Sequence, residues 1–490
     1  MIRHSISSLS MLIIGLTSTS AMAAPITFDQ AWQLLQENNH SLAAQKANVE
    51  SYQHLEQAKG NLNLPSVTLG ANYTRLDNDV TATGSQLAEA TSFPHIGGAS
   101  AAMMSSLLPI LGGIETTVAE KDIFTSSIRA VWPIFTGGRI TAAQDAAKGQ
   151  TAEAKSQFEM ETQARYEDLS KYYFSVVLAR EVLTTRKAVE SGLAQHLDFA
   201  VKLEQQGQIA RVERLQAEAS FDKAKVDTRK AQSNLDIAQS ALSKILAQSS
   251  VVDPSDALFI NQSLPPMQVF IDQTLNTYPG LDLLNAKELQ ASSFIKAEKG
   301  KYYPEVYLYG DYSLHEDDTL ASQMKPDWMV GVGVSIPIIE TSGRSDTVKA
   351  ANSMVQQVRH LKSQAREDLS VLVQKTYLEA QQSIDEVLGL ESSIALAGEN
   401  LSLREKAFKQ GLSTSLEVVD AQLYLASIQT QQSAARFQYL VSLTKLLALT
   451  SEMNTYPQYQ SNSHMTVGLL SDTNNNQPLN TSRSSNKESL

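Results

Sequence analysis

Two acidic side chains, Glu417 and Asp420, lie three positions apart, just after the glycine-containing stretch QGLSTS at 410–415. Residues three apart share one face of a helix, so these carboxylates would lie side by side. Like charges held close together repel, and multivalent cations relieve that repulsion. An acidic pair of this kind more often marks only a solvated helix face. The spacing alone does not distinguish such a face from a site that attracts cations.

Motifs for other chemistry are missing from the sequence. The eight His residues are scattered, with no H-E-x-x-H and no pair at metal-ligand spacing. There is no P-loop and no G-x-S-x-G. The G-V-G at 331–333 lies within a strand pattern. Small residues on a crowded face of that strand explain it better than nucleotide binding does. We therefore predict no enzymatic activity, no cofactor and no metal site.

Charge, cysteine content and the first residues narrow the class of protein. The chain of 490 residues has a formal net charge of −12 and no basic stripe, so nucleic acid is not an expected partner. It has no cysteine, hence neither disulfides nor the acylated cysteine of a lipoprotein. Residues 1–23 have the basic, apolar and A-x-A segments of a signal peptide, which predicts export. With no later run of 18 apolar residues, the exported chain could enter a membrane only as β-strands.

The rest of the chain repeats itself. QGQIARVERLQAEA at 206–219 aligns with QGLSTSLEVVDAQL at 410–423, an offset of 204, and Pro133 aligns with Pro337 at the same offset. We expect a first repeat over 24–248, a linker over 249–266, a second repeat over 267–450 and a polar, disordered tail over 451–490. An insertion in the first repeat makes its loop at 77–122 the longer one, and we expect this loop to be extracellular.

Both repeats predict the same order of elements. A helix comes first, at 27–60 and 267–300, and Thr27 with Gln30 forms a capping box for the earlier one. Strands of about ten residues follow, in β-hairpins at 65–136 and 304–339. Along these strands apolar residues alternate with small or polar ones. Such alternation is typical of outer-membrane barrel strands, although a half-buried soluble sheet shows it too. Long runs with apolar residues every three or four positions predict coiled-coil-like helical hairpins at 139–248 and 344–450.

Proline and glycine mark the places where the chain changes element. The strand–helix junctions contain a proline, where a strand leaves its ladder, and glycines that can adopt positive φ. These residues are Pro133, Gly137, Gly138, Pro337 and Gly343. Gly207 and Gly411 mark the turns of the two helical hairpins.

Together these features resemble the TolC family of outer-membrane efflux proteins. The resemblance rests on the junction IFTGGR at 134–139, its second copy PIIETSGR at 337–344, the two G-x-x-x-x-x-E turns, and the G-L-S-T-x-x-E-V-V-D-A sequence at 411–421. It covers about 27–450. It implies an α+β fold, with long antiparallel helical hairpins and four transmembrane strands per chain in a 12-stranded trimeric β-barrel. Four strands cannot enclose a lumen, so elementary geometry also requires several chains.

The resemblance implies a passive exit duct of a tripartite efflux pump or a type I secretion system. Its partners would be two further copies in a homotrimer, a periplasmic adaptor, an inner-membrane transporter and outer-membrane lipid. The barrel would lie in the outer membrane of a Gram-negative bacterium and the helical tunnel in the periplasm. The alternative is a periplasmic adaptor or structural coiled-coil protein, but the duplicated hairpin and strands argue against it.

The resemblance also places an iris-like gate at the periplasmic hairpin tips. A ring of acidic residues would fall on Glu417 and Asp420, with Glu213 contributed by the first hairpin. The aromatic gate position falls on Phe408, which lacks the hydroxyl group usual there.

The position of the arginine that tethers the family's closed gate falls on Ser413. The tether is therefore missing unless Arg211 or Arg214 supplies it from the first hairpin. The turns themselves are the expected docking points of the adaptor, namely Gly207, Gly411, Leu412 and Ser413.

Overall fold

The computed structural model describes residues 25–83, 86, 115–317, 322, 326–339 and 343–463. The signal peptide expected at 1–23, part of the loop at 77–122 and the tail beyond residue 463 lie outside this range. In chain order the helices are α1 (Phe28–Asn38), α2 (His40–Gly60), α3 (Arg139–Gln205), α4 (Arg211–Ile245), α5 (Met267–Thr277), α6 (Pro279–Gly300), α7 (Arg344–Lys409), α8 (Ser415–Leu449) and α9 (Tyr456–Ser461). The strands are β1 (Ser66–Arg75), β2 (Val80–Thr83), β3 (Glu115–Ala119), β4 (Asp122–Phe135), β5 (Glu305–Glu316) and β6 (Trp328–Ser335).

The four predicted strands form one antiparallel sheet in the order β1-β4-β5-β6. Strands β2 and β3 pair separately, so the expected loop at 77–122 contains a small sheet of its own. The register places Leu69 opposite Ile128, which in turn lies opposite Tyr312. Because directly paired residues point to the same face, the register decides which side chains share a surface.

One face of this sheet is apolar and exposed. Leu69 is 72% exposed and Val330 is 73% exposed. The same face carries Val67, Tyr73, Ile128, Trp132, Val332 and Val334. The predicted separation of apolar and small or polar side chains is therefore confirmed.

Glycine, tyrosine and polar residues occupy the opposite face. A Cβ added at Gly331 would come within 2.5 Å of the Tyr309 ring, and one added at Gly333 within 2.3 Å of the Tyr307 ring. The G-V-G sequence therefore accommodates cross-strand tyrosines, as its place in a strand predicted. A salt bridge of 3.0 Å between Arg129 and Asp311 lies on this face as well.

The two shorter helices predicted at 27–60 and 267–300 are each broken in two, so these predictions were wrong in detail. Asn39 is extended, and its side-chain oxygen accepts the N–H of Ser41 at 2.9 Å, which starts a new helix. Tyr278 is extended because Pro279 follows it. The capping box of Thr27 and Gln30 is confirmed.

The junction and turn glycines all have positive φ, as predicted: 63° at Gly137, 82° at Gly138 and 63° at Gly343. At Gly137 space is also limiting, because a Cβ would lie 2.3 Å from the carbonyl oxygen of Gly300. The register of β4 shifts after Pro133, and β6 ends before Pro337. None of the described helices is both long and apolar enough to cross a bilayer.

The chain divides into two compact units that do not coincide with the repeats. One combines Ala44–Glu159 with Pro279–Ala365 and contains the sheet. The other combines the chain up to Ala43, Met160–Tyr278 and the chain from Arg366 onward. Each unit thus draws segments from both repeats, and the repeat boundaries remain a prediction from the sequence.

The first part of the tail is ordered, contrary to the prediction of disorder over 451–490. Tyr456 is 2% exposed and its ring centroid lies 4.7 Å from that of Phe28. Asn261 of the linker donates to the carbonyl oxygens of Tyr459 and Asn462. Burial of one aromatic side chain and satisfaction of the backbone groups hold this segment in place.

Candidate functional site

The two hairpin turns, both within the second unit, have the same backbone geometry. Gly207 has φ of 70° and Gly411 has φ of 71°. In each turn the glycine N–H and the next N–H donate back to carbonyl groups of the preceding helix, at 2.9 Å, as in a Schellman motif. The predicted turns are confirmed, and they place Glu213 and Glu417 at equivalent positions in the helices that follow.

Glu417 is engaged within its own hairpin. Its Oε2 accepts the N–H of Thr414 at 3.1 Å, while its own N–H donates to the Thr414 hydroxyl at 3.3 Å, which completes a capping box. Ser413 donates to the same carboxylate at 2.5 Å, and Arg404 lies 3.1 Å from it. The hydrogen bond from Ser413, followed by that from the Thr414 N–H, holds the pKa of Glu417 below its usual value.

Asp420 lies three residues further along α8 and is exposed. No described residue forms a hydrogen bond or salt bridge with it. Its carboxylate therefore points freely from the same region of the helix that carries Glu417.

Glu213 reaches across to the other hairpin. Its Oε2 accepts the backbone N–H of Ser415 at 2.7 Å, at the first turn of α8. The N-cap residue of its own helix α4 is Ala210, which has no side-chain hydrogen bond to offer. A carboxylate at a helix N-terminus satisfies an orphan N–H and interacts favourably with the helix dipole.

Phe408 is buried, at 1% exposure, among Ala200, Ala217 and Val418. Its ring centroid lies 4.4 Å from that of His196 on α3. The residue assigned to the aromatic gate position thus forms part of the contact between the two hairpins of one chain.

His196 is the residue that sequence reasoning missed. Its Nε2 lies 2.6 Å from the hydroxyl oxygen of Ser415. Burial lowers its pKa to about 4, and the nearby Glu213 carboxylate partly opposes that change. The only signal in the sequence was its place between the apolar positions Leu193 and Ala200 at helical spacing.

Among the described residues of one chain, neither Arg211 nor Arg214, the two possible replacements for the missing tether, forms a salt bridge with the second hairpin. Arg214 is held at 2.6 Å by both Glu204 and Glu218 of its own hairpin. Arg211 forms no salt bridge with any described residue. Leu412, at the second turn, is 77% exposed and so is accessible to a partner.

Comparison with known proteins places the chain in a family. The model of the outer membrane efflux protein family matches residues 31–248 and 270–452. The chain belongs to this family. The match spans both predicted repeats and confirms the resemblance drawn from the junction and turn motifs.

The chain is similar to several characterised relatives. It is 22% identical to outer membrane protein TolC of Vibrio cholerae over 345 residues, which cover 67% of this chain and 76% of that protein. It is 20% identical to the alkaline protease secretion protein AprF of Pseudomonas aeruginosa, covering 67% of this chain and 69% of that one. Its fold matches the open state of the MtrE outer membrane channel of Neisseria gonorrhoeae, with a TM-score of 0.69 and 19% identity over 88% of this chain and 90% of that chain.

Membership of this family confirms the outer-membrane location and the role of efflux channel expected from the sequence. It also confirms the α+β fold class, in which long helical hairpins are combined with a short antiparallel sheet. The family is one of channel proteins rather than enzymes.

Proposed function

We propose that three copies of this chain form one exit duct, and that the hairpin tips of the three copies form its gate. One observation carries this proposal: the four-stranded sheet is open at both edges and exposes a continuous apolar face. Strands β1 and β6 each pair with only one described strand. An exposed edge templates further pairing, and pairing β6 of one copy with β1 of the next would close a 12-stranded barrel.

Exposed apolar stripes on two helices support the same assembly. Within each stripe the exposed apolar residues are separated by multiples of about 3.5 positions, which is the spacing of a coiled-coil seam. On α4 the stripe contains Val212, Leu215, Val226 and Ile237, and on α7 it contains Val371, Leu378, Leu396 and Leu403. Burial against neighbouring copies would remove both stripes from water.

The acidic residues give the duct a cation-selective constriction. Glu417 and Asp420 of three symmetry-related chains would form stacked rings of carboxylates, with Glu213 nearby. An adaptor would dock at the exposed turns, including Leu412, and an inner-membrane transporter would supply the energy. The duct itself does no chemistry.

The membrane-facing side of the sheet is tested by arginine substitution on each face. We expect Leu69→Arg to cost about 2–4 kcal/mol and to reduce the yield of assembled trimer, because the charge would face hydrocarbon. Asn72→Arg, on the polar face of the same strand, is the matched control and should leave the yield unchanged. Trimer is measured by unheated gel electrophoresis of outer-membrane fractions. Normal yield for Leu69→Arg together with loss for Asn72→Arg would reverse the assignment of the faces.

The gate is tested by planar-bilayer recording with a trivalent cation, La³⁺, on the side of the helical hairpins. We expect the parent channel to be blocked, and the double variant Glu417→Gln/Asp420→Asn to need at least about tenfold more La³⁺, since six charges are lost per trimer. Glutamine is chosen because it can keep the capping box that alanine would remove. Equal block of parent and variant would place the constriction elsewhere, with Glu213 as the next candidate.

A further inference from the structure

Ser415 joins the two helical hairpins through buried polar contacts. It is the first residue of α8 and is fully buried. Its backbone N–H donates to Glu213 of α4 at 2.7 Å, and its hydroxyl lies 2.6 Å from Nε2 of His196 on α3. We call these three residues the Ser415 joint.

We propose that the Ser415 joint is an acid-sensitive lock, which holds the two hairpins of one chain together at neutral pH and releases them in mild acid. On one side the joint packs against apolar groups, because Phe408 lies against the imidazole and belongs to the cluster with Ala200, Ala217 and Val418. A proton added to His196 would place a cation at the edge of this cluster, where it is poorly solvated.

The direction of the pH dependence follows from the state that takes up the proton. Burial lowers the pKa of His196 to about 4, whereas a hydrated imidazole in the separated state has a pKa of about 6.5. The joint therefore has its full stability above about pH 6.5 and loses it as the pH falls toward 4, because the separated state binds the proton first. For complete release of the imidazole, the ratio of separated to joined hairpins rises by up to about 100-fold over this range.

The charged groups near the imidazole come from two helices, α4 and α7. Glu213 of α4 favours the imidazolium and so sets a limit to the effect. Glu405 and Lys409 of α7 line the same cleft as His196, and Lys409 lies over the Phe199 ring at 4.4 Å. On α8, Glu417 is occupied by its own capping box.

The consequence for the channel rests on the proposed function. Helix α8 begins at Ser415 and carries Glu417 and Asp420 within its first two turns. Loosening of the joint frees the segment that bears the proposed carboxylate ring. Acid on the side of the hairpins should therefore favour the open gate.

Hydrogen–deuterium exchange on the full-length trimer tests the lock directly. The readout is the protection of the 410–420 peptide between pH 7.5 and 4, corrected for the intrinsic pH dependence of exchange. In the parent we expect protection to fall by about 10- to 100-fold. His196→Gln cannot titrate and should abolish this dependence, whereas the exposed His360→Gln should preserve it. A parent whose protection does not change, or a His196→Gln variant that keeps the full dependence, overturns the lock.

A second variant keeps the test decisive if His196→Gln assembles poorly. Glu213→Gln retains an oxygen for the Ser415 N–H but removes the charge that favours the imidazolium. The pH-dependent loss of protection should therefore be larger than in the parent and continue to lower pH, and a smaller loss contradicts the proposal.

Bilayer recording over the same pH range separates this inference from the proposed function. A channel whose open probability rises as the exchange protection falls supports both. A conducting channel that loses protection in acid without a change in open probability overturns the link to gating. A trimer that conducts at no pH overturns the proposed function, while exchange alone still decides whether the lock exists.

Discussion

The two hairpin tips have the same turn and the same carboxylate position, yet they use the carboxylate differently. Glu417 turns back to the N–H of Thr414 in its own hairpin, at 3.1 Å. Glu213, at the equivalent position, reaches Ser415 of the other hairpin, at 2.7 Å. The second tip is thus stabilised by a contact within its own hairpin, whereas the carboxylate of the first tip binds the other hairpin.

A single residue at the N-cap accounts for this difference. Thr414 provides a hydroxyl group and an accessible N–H, so Glu417 completes a capping box. Ala210 provides no side-chain partner for the equivalent helix. Short-range capping therefore decides whether a carboxylate three residues later stays local or becomes a contact between hairpins.

The largest expected effect comes from exchanging the first helical residues of the two tips. Ser415→Arg would place a charge at a fully buried position and should lower the stability of the periplasmic helices by about 3 kcal/mol or more. Arg211→Ser, at the exposed equivalent, should stay within about 0.5 kcal/mol. Denaturant unfolding of the purified trimer measures both. Equal losses would mean that the tips are not distinguished by the burial of this position.

The two carboxylates provide the next test. Glu213→Ala leaves the buried N–H of Ser415 without its charged partner, at a cost of about 2 kcal/mol. Glu417→Ala removes a capping box, at a cost of about 1 kcal/mol. Exchange mapping should show faster exchange in both hairpins for Glu213→Ala and in the second hairpin alone for Glu417→Ala. The comparison fails if the two variants give the same map.

Ala210→Thr is expected to have the smallest effect and is the most direct way to make the first tip resemble the second. A threonine hydroxyl would offer Glu213 a capping box, which strengthens the start of α4 by about 1 kcal/mol. The same change competes with Ser415 for the carboxylate, so net stability should change by only a few tenths of a kcal/mol. Protection should rise at 207–215 and fall at 410–420. A rise in both segments would show that Glu213 can serve both partners.

Local rules were enough for much of this protein. Alternation and the positions of Pro133, Gly137 and Gly411 depend on side-chain direction and φ, which neighbouring residues determine, so the sequence predicted the strands, the junctions and the turns. The repeat and its motifs identified the family for the same reason, because they are written along the chain. The breaks at Asn39 and Tyr278 follow from local rules too. The helical pattern of the residues on either side nevertheless predicted continuous helices.

Only the tertiary structure decided which side chains meet across the hairpins. His196 and Ser415 are 219 residues apart, and nothing in the neighbourhood of either predicts the other. The burial of Phe408 and Tyr456 likewise depends on several helices meeting at one place. Periodicity shows that a face will be covered, but which atoms cover it depends on packing between distant segments, and the same packing determines the pKa of a buried histidine.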